Sequence, residues 1–292
     1  MLSTYNTKLK KFWVISLSEL NSTASYLKRI DNKFLLNSKQ FSEIIKDLKK
    51  DFKVLEIDGK KTFSYDNIYM DTNDYHFYNQ HQNKEKSRTK VRTRYYVDSN
   101  LAFFEYKQKN NWITSKYRYE FSSEEHWFMT RGKQRFYEWV WQSMYAGEKA
   151  PKITPAIKTK YKRITLVSKD STERLTIDFD VRTLNLRDNN SNEVNLKNLV
   201  IIESKSLSKK CISSKIMKKH NIKQAKSCSK YSLWVVYSGL TEKYDTFQET
   251  MEKIKEIRLD VIKDRARDAI WLTKDKTPQT INNPFTTKKL AY

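Results

Sequence analysis

Charged and uncharged side chains alternate strictly along residues 88–94, whose sequence is RTKVRTR. Because successive side chains of a β-strand point to opposite faces, this segment predicts a strand with one cationic face, formed by Arg88, Lys90, Arg92 and Arg94. Like charges about 7 Å apart repel by ~2 kcal/mol per pair at an effective dielectric near 20. The pattern therefore favours the binding of a polyanion.

Five further segments alternate with the same period of two: 101–109, 115–121, 161–167, 174–182 and 199–205. Their charged or polar faces carry Glu105, Lys107, Lys109, Lys116, Arg118, Glu120, Tyr161, Arg163, Arg174, Asp178, Asp180, Arg182, Glu203 and Lys205. One such face is usually the solvated side of an antiparallel sheet. Six in succession, rich in arginine and with isolated acids, instead favour a closed antiparallel barrel with a polar interior.

Helical spacing of apolar residues appears between and after these strands. It predicts a helix over residues 37–52 with Asn37 or Ser38 as its N-cap. A second helix is expected to begin at Ser122 or Ser123 and to run toward Gly147, with Trp127, Phe136, Trp139 and Val140 on its buried side. Three later segments are expected to be, in order, a short basic helix, a helix or strand, and a charged amphipathic helix: 213–223, 229–240 and 241–274.

Composition limits the classes of ligand and the kinds of phosphate-binding site that this chain can have. The chain of 292 residues carries 57 Lys and Arg against 34 Asp and Glu, a formal charge of +23, so we expect an anionic partner such as nucleotide, polyphosphate, RNA or a membrane surface. The four glycines are too far apart to form a phosphate-binding loop, which excludes the P-loop, dinucleotide and kinase loops. Phosphate must then be held by side chains.

Localisation follows from two further observations. The two cysteines, Cys211 and Cys228, match neither a disulfide framework nor a zinc site, which favours a reducing compartment. No uncharged run approaches the roughly 18 residues that cross a bilayer, and the beginning of the chain is a poor signal peptide. We therefore expect a cytoplasmic protein.

An ordered set of short strings resembles one known family. The set comprises RIDNKFLL from residue 29, YMDTNDYHFYNQH from 69, RTKVRTRYY, FFEYKQK, SKYR, YKRITL, RLTIDFD, IIESK and SKYS. In this order it resembles the VTC-type polyphosphate polymerase domain of the triphosphate tunnel metalloenzymes. The resemblance runs from about residue 12 to residue 240. It implies an α+β fold with an eight-stranded antiparallel barrel and flanking helices over residues 1–240, and leaves residues 241–292 as a C-terminal helix and flexible tail.

The resemblance also implies functional residues and partners. The matching phosphate-binding and catalytic positions are Lys33, Arg92, Arg94, Lys107, Arg163, Arg174 and Lys230, to which the charged faces add Lys205. Further substrate-binding candidates are Arg29, Arg88, Lys90, Lys116, Arg118 and Tyr161. Guanidinium forks bind phosphate oxygens in a bidentate manner and lysines add point charge. The implied ligands are ATP and polyphosphate, with a membrane protein as a further partner of the family.

Metal binding is expected to rest on Glu203, which matches the family's metal-binding acid, with Glu105 or Asp31 assisting. Mn²⁺ or Mg²⁺ suits such oxygen ligands. Hydrolytic tunnel enzymes carry Glu-x-Glu-x-Lys in the first strand, whereas this chain has Arg29, Asp31 and Lys33 there. The lost acid favours a polymerase over a hydrolase. Alternatively, Glu105 and Glu203 bind no metal and each forms an ion pair with a neighbouring arginine.

Three functions remain open at this stage. The first is an ATP-dependent polyphosphate polymerase, and the second is a tunnel triphosphatase acting on inorganic or nucleoside triphosphate. The third is a non-catalytic receptor for polyphosphate or RNA, because a charge of +23 also binds nucleic acid. Aromatic side chains are expected to point away from the charged faces, which argues against base stacking in an RNA groove.

Overall fold

The computed structural model describes residues 2–24, 30–111, 113–145 and 147–260. The strands in these ranges are β1 Trp13–Ile15, β2 Ile30–Asn37, β3 Phe52–Leu55, β4 Phe63–Asp71, β5 Ser87–Tyr96, β6 Leu101–Asn110, β7 Ile113–Phe121, β8 Thr154–Ser168, β9 Glu173–Asn185, β10 Val194–Leu196 and β11 Leu199–Ser206. The helices are α1 Leu2–Leu9, α2 Leu17–Ala24, α3 Ser38–Asp51, α4 His76–Gln82, α5 Arg131–Met144, α6 Ile212–Lys219, α7 Lys230–Tyr237 and α8, residues 248–260.

One large antiparallel sheet dominates this α+β fold, with strand order β2-β11-β9-β8-β4-β5-β6-β7. The short strands join its sides: β3 pairs with β8, β1 runs parallel to β3, and β10 pairs with β9. In the part of the chain that the structure describes, the end strands β2 and β7 do not pair. The sheet is therefore open, which corrects the expected closed barrel.

The open sheet is nevertheless strongly curved. Lys33 on β2 and Lys90 on β5 both bond to the segment before α7, through the Cys228 carbonyl and the Ser229 hydroxyl. β2 and β5 are five strand spacings apart along the sheet, which would separate them by ~24 Å if the sheet were flat. Contacts to two adjacent residues require the sheet to wrap around them.

Strand register defines which side chains line the concave side, called here the inner face. Along one row Glu105, Arg92 and Tyr69 are direct neighbours on β6, β5 and β4. Along another, Lys33 lies opposite Glu203 on β11. All six alternating segments thus turn a charged or polar face to the same side, because every strand of the path is paired in antiparallel register.

A bulge in β9 alters one prediction. The pairing of β8 with β9 shifts between Lys160 and Lys162, and Asp180 adopts the left-handed conformation with φ of 51°. The extra residue reverses the alternation, so Val181 joins the inner side while Arg182 pairs with Glu193 on the outside. The expectation that Asp180 and Arg182 share a face with Asp178 was wrong.

The outer face of the sheet buries the main apolar core. Helix α3 packs Phe41, Ile44, Ile45 and Leu48 against it, as its spacing predicted. Asn37 is the N-cap and forms a capping box with Gln40, each side chain accepting from the other residue's backbone N–H. This helix was predicted within one residue at each end.

The helix expected from Ser122 to Gly147 is divided. A 3₁₀ turn over Ser123–Trp127 is followed by an extended residue before α5 begins at Arg131. Trp127 and Trp139 are 47% and 59% exposed, so their expected burial was wrong, whereas Val140 is buried. The SSEE string resembles a capping box, but the chain leaves the helical path after Trp127.

Helices α7 and α8 cover one end of the inner face. Tyr231 and Trp234 of α7 and Ile254 of α8 pack in one cluster with inner-face residues such as Leu35 and Ile201. The ambiguous segment 229–240 is thus helical, and the basic segment 213–223 forms α6. The helix predicted over residues 241–274 begins only at residue 248, and its part beyond residue 260 lies, like the predicted tail, outside the described residues.

Among the described residues, no helix combines the length and apolarity needed to cross a membrane.

Candidate functional site

A buried glutamate organises the cations of β5, β6 and β7. Glu105 is 1% exposed, and its Oε2 accepts from Arg92 Nε at 2.7 Å and lies 3.8 Å from Arg94 Nε. Its Oε1 lies 2.6 Å from Lys116 Nζ and 3.0 Å from Arg118 Nε. Register explains the convergence, since Glu105 sits between Arg92 and Arg118 in the ladder. One carboxylate thus ties four predicted phosphate-binding residues together.

The charged groups of this cluster shift one another's pKa values. Burial alone would raise the pKa of Glu105, but Arg92, Arg94 and Lys116 overcome it and hold that pKa far below its usual range. Burial lowers the pKa of Lys116 to about 7, although Glu105 opposes the change. Lys116 therefore gains or loses its charge near neutral pH.

A second buried acid lies across the inner face. Asp178 on β9 accepts two hydrogen bonds from Arg163, at 2.6 Å from Nε and 2.8 Å from Nη2, and also pairs with Lys230 of α7. Burial would raise the pKa of Asp178, but these two cations keep it below its usual value. Sequence reasoning placed Asp178 on the charged face without assigning it a role.

Tyr161 lies between the two cation groups. Its hydroxyl accepts a hydrogen bond of 3.4 Å from Arg94, and Arg163 and Lys230 lie over its ring at 5.2 and 5.0 Å. Burial would raise the pKa of Tyr161, but Arg163, Arg94 and Lys230 outweigh burial and lower it. A lowered pKa at a buried tyrosine shows how strongly positive the surroundings are.

The first turn of α7 reaches into the inner face because a buried carboxylate anchors it. Asp71 accepts from the backbone N–H groups of Phe77 and Tyr78, both at 2.9 Å, and from the Tyr231 hydroxyl. It thereby caps α4 and fixes α7 at once. Lys230, next to Tyr231, is held over the inner face as a result.

The α7 entrance also collects cations that sequence analysis had treated separately. Lys33 Nζ donates to the Cys228 carbonyl at 2.7 Å, and Lys90 Nζ donates to Ser229 Oγ at 2.9 Å. Burial and then Lys33 and Lys107 lower the pKa of Lys90 well below its usual value. Burial, Lys90 and Arg88 likewise lower the pKa of His81, so this imidazole is neutral. The region has excess positive charge.

The strands β2 and β11 supply the remaining predicted residues. Glu203 Oε1 lies 3.3 Å from Lys205 Nζ, and Lys205 is opposite both Asp31 and Arg174 in the ladder. Burial would raise the pKa of Glu203, but Lys33, Lys205 and Lys230 hold it well below its usual range. Burial and Lys205 lower the pKa of Lys107 on β6, whereas Glu203 and Asp31 raise it. These residues therefore face one another across the curved sheet.

The three predicted metal ligands differ in their suitability, and Asp31 is an exposed residue of β2 opposite Lys205. Both oxygens of Glu105 are occupied by cations, which fits the pairing alternative and leaves no lone pair directed at a metal. The Glu203 side chain is 20% exposed and ionised, so it suits a hard divalent ion that takes its other ligands from water and phosphate. Within the described ranges, His, Cys, Asp and Glu side chains form no group of three or more that could hold a metal by themselves.

The structure thus brings the predicted residues to one face, with Arg29 outside the described residues. Sequence reasoning missed β4, whose Tyr65, Asn67 and Tyr69 occupy the inner face beside the arginines. The expectation that aromatic rings avoid the charged faces was therefore wrong. Their alternation in residues 65–69 was the available signal. Ser229 and the Cys228 carbonyl carried no signal, because their contacts depend on where α7 begins.

Three comparisons relate this chain to known proteins. A family model described as "VTC domain" matches residues 28–236. A search of curated proteins gave no match. Similar solved structures include the PH1819 protein from Pyrococcus horikoshii OT3, with 12% identity, a TM-score of 0.37 and coverage of 72% of this chain and 99% of that chain.

Two further structures show comparable likeness. A conserved hypothetical protein from Pyrococcus furiosus, Pfu-838710-001, has 12% identity, a TM-score of 0.34 and coverage of 67% of this chain and 92% of its own. The Schizosaccharomyces pombe Mediator head module has 12% identity, a TM-score of 0.29 and coverage of 66% and 88%. The family match spans most of the chain and all eight strands of the main sheet path: this chain belongs to the VTC domain family.

Proposed function

We propose that this protein is an ATP-dependent polyphosphate polymerase that transfers the γ-phosphate of ATP to a growing polyphosphate chain on the inner face. The observation that carries the proposal is the inner face itself, where cations from seven strands and α7 outnumber the acids. Glu105 and Asp178 are already bound to cations. The uncompensated charge suits a linear polyanion with regularly spaced phosphates.

Phosphoryl transfer needs positioning and charge stabilisation more than covalent chemistry. Arg92, Arg94 and Arg163 present guanidinium groups whose orientation is fixed by Glu105, Asn67 and Asp178. Such fixed forks bind phosphate oxygens without further loss of side-chain freedom. Lys230 and Lys33 add charge from α7 and β2. A divalent ion held through Glu203 would neutralise further phosphate charge.

Polymerase activity is favoured over hydrolysis by the state of the acids. A hydrolase needs a carboxylate or imidazole to activate water. Glu105 and Asp178 are bound to cations with depressed pKa values, which makes them weak bases. A terminal phosphate is itself an anionic nucleophile and needs no general base. The sequence of residues 29–33, which has one acid where hydrolytic tunnel enzymes have two, also favours a polymerase.

The shape of the sheet and the source of ATP bear on how and where the polymer would be made. We infer that the curved sheet wraps the polymer as an incomplete tunnel, and that the enzyme works in the cytoplasm, where ATP is supplied. A membrane protein that accepts the polymer remains a prediction of the family resemblance.

The test is incubation of the purified protein with ATP and Mn²⁺ or Mg²⁺, with products resolved by length on a gel. Parent protein should form long polymer, and Arg163→Ala and Glu203→Gln should lose at least 90% of it. Lys162→Ala, a change on the opposite face of the same strand as Arg163, should retain activity. Release of orthophosphate alone would establish a triphosphatase instead, and full activity of Arg163→Ala would contradict the proposed site.

A further inference from the structure

A continuous row of aromatic rings crosses the inner face. Tyr161 and Tyr65 are stacked with centroids 5.3 Å apart and planes 8° apart, Tyr65 and Tyr96 are 5.0 Å apart, and Tyr96 and Phe103 are 5.9 Å apart. The row passes through β8, β4, β5 and β6 in their sheet order. It therefore links the centre of the charged site to the outer strands.

The two ends of the row have different surroundings. At the first end, Arg163 lies over Tyr65 and Tyr161 at 4.9 and 5.2 Å, which is the proposed phosphate region. At the other end, Phe103 is half-buried and lies opposite Glu120 in the ladder, beside the 43% exposed Leu101. Arg94 contacts the row midway, over Tyr65 and Tyr96. Arg118 lies over the Phe103 ring at 5.5 Å, so an arginine contacts each end of the row, and the Phe103 end differs by its accessible apolar surface.

A cavity adjoins the apolar end. It has a volume of about 330 Å³ and is lined by residues 100–102, which directly precede Phe103 in the chain, and by residues 120–123, of which Glu120 lies opposite Phe103. Asn100, Glu120, Ser122 and Ser123 give it polar groups beside the apolar surface of Leu101. Small-molecule sites have volumes of roughly 300–1,000 Å³ and combine apolar walls with a few polar groups.

We propose that the ring of Phe103, against which Tyr96 packs with its plane at 88°, is the stacking platform for the base of the nucleoside triphosphate, and that the adjoining cavity receives the edge of the base or the ribose. The inference rests on the proposed function, because it assumes that the triphosphate lies at Arg94 and Arg163. Every purine or pyrimidine base can stack on an aromatic ring, because stacking uses the face of the base and not its hydrogen-bonding edge. The site therefore selects nucleotides over inorganic phosphates.

Inorganic tripolyphosphate isolates this contact, because it carries the three phosphates of ATP without the base. We would measure the Kd of the full-length protein for ATP and for tripolyphosphate by calorimetry, at equal ionic strength and Mg²⁺. Phe103→Ala should weaken ATP binding roughly tenfold, as expected for one lost base stack, and should leave tripolyphosphate binding within about twofold. Phe103→Leu retains an apolar side chain and should behave alike, which separates stacking from a folding defect.

Phe128→Ala is the matched control, since it makes the same change at a 65% exposed phenylalanine that follows the 3₁₀ turn on the outer side. Unchanged ATP binding in both Phe103 variants would overturn the inference, and so would equal weakening of ATP and tripolyphosphate. Because binding needs no turnover, a selective loss of ATP binding in a protein that makes no polymer would refute the proposed function and leave this inference standing.

Discussion

Glu105 shows how one side chain can hold a charged site together without touching substrate. Its carboxylate is buried and surrounded by Arg92, Arg94, Lys116 and Arg118. Removing one partner of a buried ionic cluster leaves charge that nothing offsets. The acid therefore sets both the stability of the cluster and the orientation of the cations that the proposal assigns to phosphate.

Glu105→Gln should lower the free energy of unfolding by ~3–5 kcal/mol, because four cations would lose their common anion. Urea unfolding measures the change, and saturating tripolyphosphate should restore part of the lost stability by supplying negative charge. Glu193→Gln is the control, since Glu193 pairs with Lys160 and Arg182 on the surface and should matter by less than about 1 kcal/mol. A loss of the same small size in Glu105→Gln would contradict the prediction.

Lys116 makes anion binding depend on pH. Its pKa is lowered to about 7, so it is charged below that value and becomes neutral as the pH rises through it. Tripolyphosphate affinity of the parent should therefore fall between pH 6 and pH 8 more steeply than that of Lys116→Arg, which stays charged. The ionisation of the ligand is common to both proteins and cancels in the comparison. Identical pH profiles would show that Lys116 does not titrate in this range.

At the scale of elements, the Asp71 carboxylate joins α4 to α7. Tyr231 donates to Asp71, which also caps α4, and the Tyr231 ring stacks on Tyr69 at 5.3 Å. Tyr69 in turn accepts from Arg92 at 3.1 Å. The position of α7, and with it Lys230, is thereby coupled to the arginine cluster.

Tyr231→Phe should cost ~1–3 kcal/mol of unfolding free energy, because a buried carboxylate loses one of its donors. Tyr237, which lies in α7 like Tyr231, accepts an exposed hydrogen bond from Arg258 of α8. Tyr237→Phe removes this hydrogen bond and should change the free energy of unfolding by less than about 0.5 kcal/mol. Chemical denaturation of both variants measures the two changes in the free energy of unfolding. Equal stability of both would show that Asp71 does not anchor α7.

Some elements were predictable from sequence and others were not, for physical reasons. Helix α3 combines a polar cap with a strict apolar spacing, so Asn37 and Phe41 were enough to place it. The six segments with a period of two are strands, with β8 extending further toward Thr154 than expected, whereas β4 was missed. The break before α5 was missed because backbone geometry at residues 128–130, and no residue pattern, ends the 3₁₀ turn.

For the whole molecule, charge was the most reliable signal and topology the least. Arg92, Arg163 and Glu203 could be assigned to charged strand faces from alternation, and Lys33 from the family resemblance, whereas closure of the sheet depends on whether β2 reaches β7. That pairing is long-range and leaves no local pattern. The contacts of Ser229 also join distant parts of the chain, which is why α7 was predicted without its role.

Repulsion among the inner-face cations should make the folded protein respond to polyanions. Tripolyphosphate at 100 times its Kd should stabilise the fold by about 2.7 kcal/mol, which corresponds to a rise in Tm of roughly 4–5 °C for a protein of 292 residues. Thermal unfolding followed by circular dichroism measures the shift. Sulfate at equal ionic strength should give a much smaller rise, and an equal one would mean that screening, and not a specific site, is responsible.

The bulge at Asp180 has a consequence for how this surface can change. Because one left-handed residue reverses the alternation of β9, it decides that Val181 and not Arg182 faces inward. A substitution at position 180 that disfavours positive φ would favour a regular strand, in which the residues that follow shift by one position against β8 and Arg182 turns toward the site. The charge available to a polyanion could thus be altered by a mutation that leaves every arginine and lysine in place, through backbone preference alone.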